Sequence, residues 1–316
     1  MAKLPKSDLV KAIEVHIPSI TTTSQLKSIS SGLFNSSYYV DNNFVVRVAP
    51  PDDSVFVFYE RGMMKQEQGL HELIQAKTTV PVAKIVAYDT TRKVIDRDFM
   101  LMERLPGKLA TDQKNADWEK ILFQVGRHLA EVHSLTAVSQ KYGYLGEHQP
   151  MDPQDTWVDA FEVMWGKLID DIVMTGYYGD KEKDALTGLF QEHRALFDRP
   201  VLPHLLHMDI WHQNILVDEN SQVTGVLDWD RALWGDPEIE FAVLDYCDIS
   251  GPAFWEGYGK KRDETPEAKT RQVFYLLYEL QKYIVIEAGR LGQKKSASQF
   301  TRQVMDIVFK NFKKSL

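Results

Sequence analysis

Residues 205–242 read LLHMDIWHQNILVDENSQVTGVLDWDRALWGDPEIEFA, and this stretch decides the fold. Two apolar runs, 214–217 and 223–227, flank Asp218-Glu219-Asn220-Ser221, a four-residue turn signal, and predict a β-hairpin. A hairpin returns on itself, so Asn214 at its start and Asp228 just past its end meet at the open end. Asp209 lies in the loop that feeds it, five residues before Asn214. A carboxylate and an amide oxygen suit Mg²⁺, which prefers hard oxygen ligands and completes its shell with water and substrate phosphates. A further carboxylate beside such a site can accept the proton of an attacking hydroxyl, which is what phosphoryl transfer to an alcohol still requires.

Outward from the hairpin, the chain divides in two. Residues 8–17 predict a short helix, 25–49 three antiparallel strands, 57–74 a helix, and 83–88 and 99–103 two more strands. After Pro106-Gly107 the pattern turns helical: Trp118, Ile121, Leu122, Val125, Leu129 and Val132 mark one buried face, and 154–175, 181–197, 273–284 and 297–313 predict further helices. The expected fold is α+β and bilobal, with a small antiparallel sheet and one main helix over residues 1–104 and a larger, mostly α-helical lobe over 105–316.

The 316 residues carry 37 Lys and Arg against 45 Asp and Glu, a formal charge of −8, which argues against a general nucleic-acid binder. The balance is +1 over residues 1–105 and −9 over 106–316, so the acidity belongs to the helical part. The lone cysteine, Cys247, excludes an internal disulfide, and neither a signal-peptide core nor a membrane-length apolar run is present. A cytoplasmic protein with no membrane, nucleic-acid or obligate protein partner is expected.

HMDIWHQNILV followed by VLDWDRALWGDPEIEFA resembles the motif of the aminoglycoside phosphotransferase and choline kinase-like family, whose members share the protein-kinase-like fold. The resemblance implies that Asp209 is the catalytic carboxylate, that Asn214 and Asp228 bind Mg²⁺, that His207 organises the loop, and that Asp236 braces it by accepting backbone N–H bonds. Glu240 stands where many members have Asp, which predicts a weakened supporting contact. Ser31 and Asn35, in SSGLFNSSY, match the family's short loop over the nucleotide phosphates. Arg47 replaces the usual strand lysine, with Glu67 as its expected partner ahead of Glu60. Residues 99–107 resemble the hinge, placing Glu103 to Leu105 beside the adenine.

The activity so implied is ATP- or GTP-dependent O-phosphorylation of a small molecule. An aminoglycoside-like, cationic acceptor with an antibiotic-resistance role leads; choline, a sugar or a similar alcohol follows. Asp230, Trp234, Asp159 and Glu279 are candidate acceptor-binding residues. Two rivals are a metal-dependent hydrolase built on His204, His207, Asp209 and His212, and a catalytically silent nucleotide-binding protein.

Overall fold

A computed structural model describes residues 4–29 and 34–312. Helix α1 (Lys6–Glu14) precedes the strands β1 (Leu26–Ile29), β2 (Ser36–Val40) and β3 (Phe44–Val48), then come helix α2 (Met64–Lys77) and the strands β4 (Ile85–Asp89) and β5 (Phe99–Glu103). The five strands form one antiparallel sheet in the order β1-β2-β3-β5-β4. Side chains alternate across a strand. Val46, Val48, Phe99 and Leu101 therefore pack against Leu9, Val10 and Ile13 of α1, while Val45, Ala49, Met100 and Met102 face Met64 of α2. Arg47 shares that second face.

Helix α2 starts seven residues later than the sequence predicts, at Met64 instead of Val57. Side-chain oxygens take the backbone N–H groups that a helix would use: Asp53 accepts from Gly62 at 2.8 Å and Asp171 from Phe58 at 2.6 Å. Gly62, at φ +70°, then breaks the helical path.

Strand β6 (Lys108–Leu109) crosses to the second half and pairs with β8. There follow α3 (Trp118–Val132), α4 (Trp157–Thr175), α5 (Asp180–His193), β7 (His204–Leu206), β8 (Ile215–Val217), β9 (Val223–Val226), β10 (Leu233–Gly235), α6 (Pro237–Tyr246), α7 (Pro252–Tyr258), α8 (Pro266–Val285) and α9 (Lys294–Asn311). The predicted stripe of α3 buries Ile121, Val125, Leu129 and Val132, and the aromatic centre of α4 and α8 buries Trp157, Phe161, Trp165, Phe274 and Tyr275. Sequence reading missed three things here: the short pairing of β7 with β10, helices α6 and α7, and a π-helical turn at Ile286–Arg290.

The predicted hairpin is β8 and β9, with Ile215 opposite Val226. Asp218 holds its turn by accepting from the amides of Asn220 and Gln222, both at 2.8 Å. Gly107, at φ +98°, lets the crossing segment lie on this hairpin: a Cβ there would stand 2.6 Å from the Val217 carbonyl oxygen. Among the described residues no helix is long and apolar enough to cross a membrane.

Candidate active site

The strand β7 ends at Leu206 and delivers residues 207–209; the hairpin delivers Asn214 and Asp228; the two arrive side by side because the Leu227 amide donates to the Asn214 carbonyl at 2.9 Å. Asn214 donates through Nδ2 to the backbone oxygen of Asp209 at 2.9 Å and to its Oδ2 at 3.1 Å, so its own Oδ1 is not used in this contact. Met208, buried at φ +67°, turns the chain between His207 and Asp209. A non-glycine residue in this region is strained and needs surrounding contacts to hold it.

Those contacts come from His207 and Glu240. The His207 ring accepts from the Asp209 amide at Nδ1 (3.1 Å) and donates from Nε2 to the Leu227 carbonyl (2.9 Å), which defines a neutral tautomer. Burial lowers its pKa, in agreement. Trp229 packs against it, with ring centroids 4.4 Å apart and the planes tilted by 59°. Glu240 accepts from the amides of Met208 (2.7 Å) and His207 (3.1 Å), and from His133 Nε2 at 2.8 Å. Tyr258 completes the chain at His133 Nδ1, 2.8 Å away. Burial tends to raise the Glu240 pKa, but these donors outweigh it and hold the carboxyl below its usual range.

The brace expected of Asp236 is thus made by Glu240, and the weakening expected from glutamate at position 240 does not occur. Asp236 is the N-cap of α6: its Oδ1 accepts from the Glu238 amide (3.1 Å), and its Oδ2 meets Arg199 (2.5 Å) and the Tyr275 hydroxyl (3.2 Å). With both oxygens so engaged it has no reach to 207–208. One helical turn later, Glu240 faces the loop; the signal was its spacing from the Gly235-Asp236-Pro237 helix start.

Asp228 adopts φ +61° and opens a tight turn that distributes four side chains. Asp228 is 43% exposed and lies 2.8 Å from Arg47 Nη2. Trp229 enters the core and donates to the Val226 carbonyl at 2.9 Å. Asp230 is buried and accepts from Arg47 Nη2 at 2.8 Å. Arg231, also buried, reaches Asp209 Oδ1 at 2.5 Å. Gln66 of α2 donates to the backbone oxygens of Asp230 (2.5 Å) and Ala232 (3.3 Å), tying the turn to the sheet half.

Arg47 pairs with the fully buried Glu67 through Nη1. Glu60, the other candidate partner, instead meets Arg290 at 2.8 Å. Burial works to lower the Arg47 pKa, but Glu67, Asp228 and Asp230 together more than reverse it. Asp230 is pushed well above the usual carboxylate range by burial. Among the described residues, Glu67, Asp228 and Asp230 form a group whose oxygens lie within 4.8 Å of one another. Three carboxylates around one guanidinium leave local negative charge in excess, and with the amide oxygen of Asn214 nearby the donor set is all hard oxygen. These residues fit Mg²⁺. The hydrolase reading fails on the same geometry, since both ring nitrogens of His207 are spent on backbone groups, the Asp209 amide and the Leu227 carbonyl.

Among the acceptor candidates, Glu279 of α8 is buried near the centre, 3.5 Å from Arg231 Nη2 and paired with Lys282. Asp230 lies on the Arg47 side. Trp234 sits in β10 opposite Leu205 and packs on the apolar cluster around α3 and the hairpin. Asp159 is taken up in the first turn of α4 by the Thr156 hydroxyl (2.6 Å) and by Arg194. Asn35 has a buried Nδ2 without a hydrogen-bond partner, while Ser31 lies outside the described residues. At the hinge the amides of Glu103 and Arg104 donate to the carbonyls of Lys84 (2.9 Å) and Asn43 (2.7 Å), and Leu105 packs on the Met64, Ala83, Met100 and Met102 cluster. Sequence reasoning missed Arg231, Lys282, His133 and Tyr59 altogether.

Comparison with known proteins agrees with this geometry. The family described as "Phosphotransferase enzyme family" matches residues 25–271. The "Probable ketoamine kinase" of Vibrio parahaemolyticus is 25% identical over 226 residues, 68% of this chain and 71% of that protein. A chloroplastic protein-ribulosamine 3-kinase of Oryza sativa is 30% identical over 161 residues, 49% of this chain and 46%, under half, of that protein. Among solved structures, a Haemophilus somnus protein provisionally named a fructosamine-3-kinase superposes with a TM-score of 0.71 at 18% identity, covering 96% of this chain and 97% of its own. The aminoglycoside phosphotransferase APH(4)-Ia, in ternary complex with AMP-PNP and hygromycin B, gives 0.67 at 18% identity, covering 95% and 98%. These structures share the bilobal protein-kinase-like fold, and with the family matched over most of its length the chain belongs to the phosphotransferase enzyme family.

Proposed function

We propose that this protein is an ATP- or GTP-dependent kinase that phosphorylates a hydroxyl of a sugar-derived small molecule, with residues 1–104 holding the nucleotide and 105–316 the catalytic and acceptor groups. The observation that carries the reading is the pair of contact sets from Glu67 through Arg47 to Asp228 and from Asn214 to Asp209, brought side by side by the backbone bond from Leu227 to Asn214. Arg47 is placed to hold the α- and β-phosphates as a fixed charge, and its planar fork is kept in one orientation by carboxylates on both sides. Asn214 and Asp228 would hold Mg²⁺, which when bound neutralises phosphate charge and orients the transferred group. Asp209 is 26% exposed and directs a carboxylate at the acceptor side; it orients the hydroxyl and takes its proton as the oxygen bonds to phosphorus and the nucleoside diphosphate leaves. Leu105, whose amide has no acceptor among the described residues, would read the adenine edge beside the apolar surface of Val45 and Met102.

Ketoamine kinases match 58–73% of this chain, whereas the hygromycin-B 4-O-kinase of Escherichia coli matches 15%. We therefore favour a ketoamine-type acceptor and a metabolic role over an antibiotic. The acidity of the helical lobe suits an amine on the acceptor, but the charged group in contact with Asp209 is the cation Arg231, which Glu279 links to Lys282. An amine would thus bind away from the reacting hydroxyl. A coupled assay of nucleoside diphosphate release over ketoamines, aminoglycosides, choline and free sugars, with and without Mg²⁺, tests the proposal. Turnover with a ketoamine that stops on chelation is expected; turnover confined to aminoglycosides would reverse the preference, and none with any hydroxyl acceptor would refute the function.

A further inference from the structure

Arg231 sits in the middle of the site without a role in binding nucleotide or metal. It is 4% exposed, and three elements meet on its guanidinium. Nη1 donates to Asp209 Oδ1 at 2.5 Å; Nη2 reaches the Tyr59 hydroxyl at 3.3 Å and Glu279 Oε2 at 3.5 Å. The Tyr59 ring lies 5.5 Å from its centre and is itself stacked on Tyr144 at 4.7 Å. Glu279 in turn is held by Lys282 one turn along α8. The side chain is therefore clamped from the sheet half by Tyr59, from α8 by Glu279 and from the loop after β7 by Asp209, and its one short contact is to the catalytic carboxylate.

Stability alone is a weak reason for such a residue. A buried ion pair seldom contributes more than an apolar pair of the same shape. Here the arrangement also leaves Arg231 Nε buried with no acceptor, a cost that native interiors mostly avoid. What the pairing does supply is orientation. With Oδ2 of Asp209 held by Asn214 and Oδ1 by Arg231, the carboxylate plane is fixed at both oxygens, and each keeps a lone pair for a hydroxyl.

We propose that Arg231 is a positioning residue for phosphoryl transfer, locking the Asp209 carboxylate in the orientation that receives the acceptor hydroxyl. The inference rests on the phosphotransferase reading above. It further follows that Arg231 couples the metal-side turn to the catalytic loop, because Asp228 and Arg231 belong to the same turn.

The test is steady-state kinetics of Arg231→Ala and Arg231→Lys, with millimolar methylguanidinium added to the first, followed as phosphoryl transfer to the best acceptor or as hydrolysis of the nucleotide by water. A misplaced catalytic group costs on the order of 10²-fold. We expect kcat of Arg231→Ala to fall by about that factor, the nucleotide KM to stay within about twofold, methylguanidinium to restore part of the rate, and Arg231→Lys to fall between. Unchanged kcat in Arg231→Ala overturns the inference. So does a loss that methylguanidinium leaves untouched while nucleotide affinity and melting temperature fall with it, the pattern of a structural residue. A wild-type protein that neither transfers nor hydrolyses the γ-phosphate removes the phosphotransferase reading itself, and the inference with it; an active wild type with an indifferent Arg231→Ala removes the inference alone.

Discussion

Replacing Glu240 by glutamine is the sharpest probe of how the catalytic loop is held. The carboxylate takes three donors: the Met208 amide on Oε1, and the His207 amide and His133 Nε2 on Oε2. Glutamine keeps one acceptor oxygen, best spent on the His207 and His133 side, and turns an NH₂ toward the Met208 amide. Two donors then face each other in a fully buried place, so one hydrogen bond is lost and one N–H is left without a partner, at about 1–3 kcal/mol. At about 2–4 °C per kcal/mol for a domain of this size, the melting temperature falls by a readily measured amount. The amide that loses its tether belongs to Met208, the residue at positive φ that turns the chain into Asp209. The loop therefore relaxes where Asp209 is aimed, and with Asp209 as the proposed catalytic carboxylate kcat should fall further than stability alone accounts for, by about 10²-fold. Calorimetry and steady-state kinetics on the same preparation separate the two. The pH arm adds a sign. Because the folded Glu240 pKa lies below its unfolded value, its contribution is present above the ordinary glutamate range and is lost as pH falls through the depressed value. Glu240→Gln should therefore differ most from wild type near neutrality and converge on it in acid. Wild-type melting and wild-type kcat in Glu240→Gln would refute the assignment of the brace to this residue.

Asp209→Ala should abolish phosphoryl transfer while nucleotide binding, measured by titration calorimetry, persists. Arg47→Lys should raise the nucleotide KM, because a single ammonium cannot meet Glu67 on one side and Asp228 with Asp230 on the other as the two Nη atoms do. Arg47→Ala leaves three carboxylates around an empty place, two of them buried, and should destabilise the fold by about 3–5 kcal/mol in urea titration, an effect that Mg²⁺ partly offsets. Asp159→Ala should leave the acceptor KM unchanged and lower only the melting temperature, since that carboxylate is taken up by Thr156 and Arg194.

What the sequence disclosed about the site was what short-range geometry encodes. The hairpin is closed by its own turn residues, so the meeting of Asn214 with the segment around Asp228 follows from counting, whereas Arg47 was legible only through the resemblance of its strand to the one that carries a lysine in kinases. Asp236 and Glu240 show the boundary of that logic. Both are acids near the start of α6, and the phase of the helix, with the Arg199 and Tyr275 contacts that claim Asp236, decides which of them faces the loop. Neither partner is visible from residues 205–242. Asp159 was open to an acceptor role for the same reason, its neutralising Arg194 lying 35 residues away on another element.

The turn from Asp228 to Arg231 carries this further. As a string of letters, Asp-Trp-Asp-Arg offers three charges of unassigned direction, and Asp230 reads as readily toward an acceptor as toward a phosphate. The left-handed conformation at Asp228 and the burial of Trp229 under His207 settle the directions together. With the indole fixed in the core, Asp228 is left at the surface, Asp230 is turned inward to Arg47, and Arg231 is carried across to Asp209. One anchored aromatic side chain thereby aligns Arg47, Asp228 and Asp209, the residues proposed to hold the nucleotide, the metal and the acceptor proton. Trp229→Phe keeps the ring but forfeits the bond from Nε1 to the Val226 carbonyl. It should lower kcat and raise the nucleotide KM together in steady-state kinetics, where Arg231→Ala lowers kcat alone. If Trp229→Phe affected only one of the two parameters, the common alignment through this residue would be wrong.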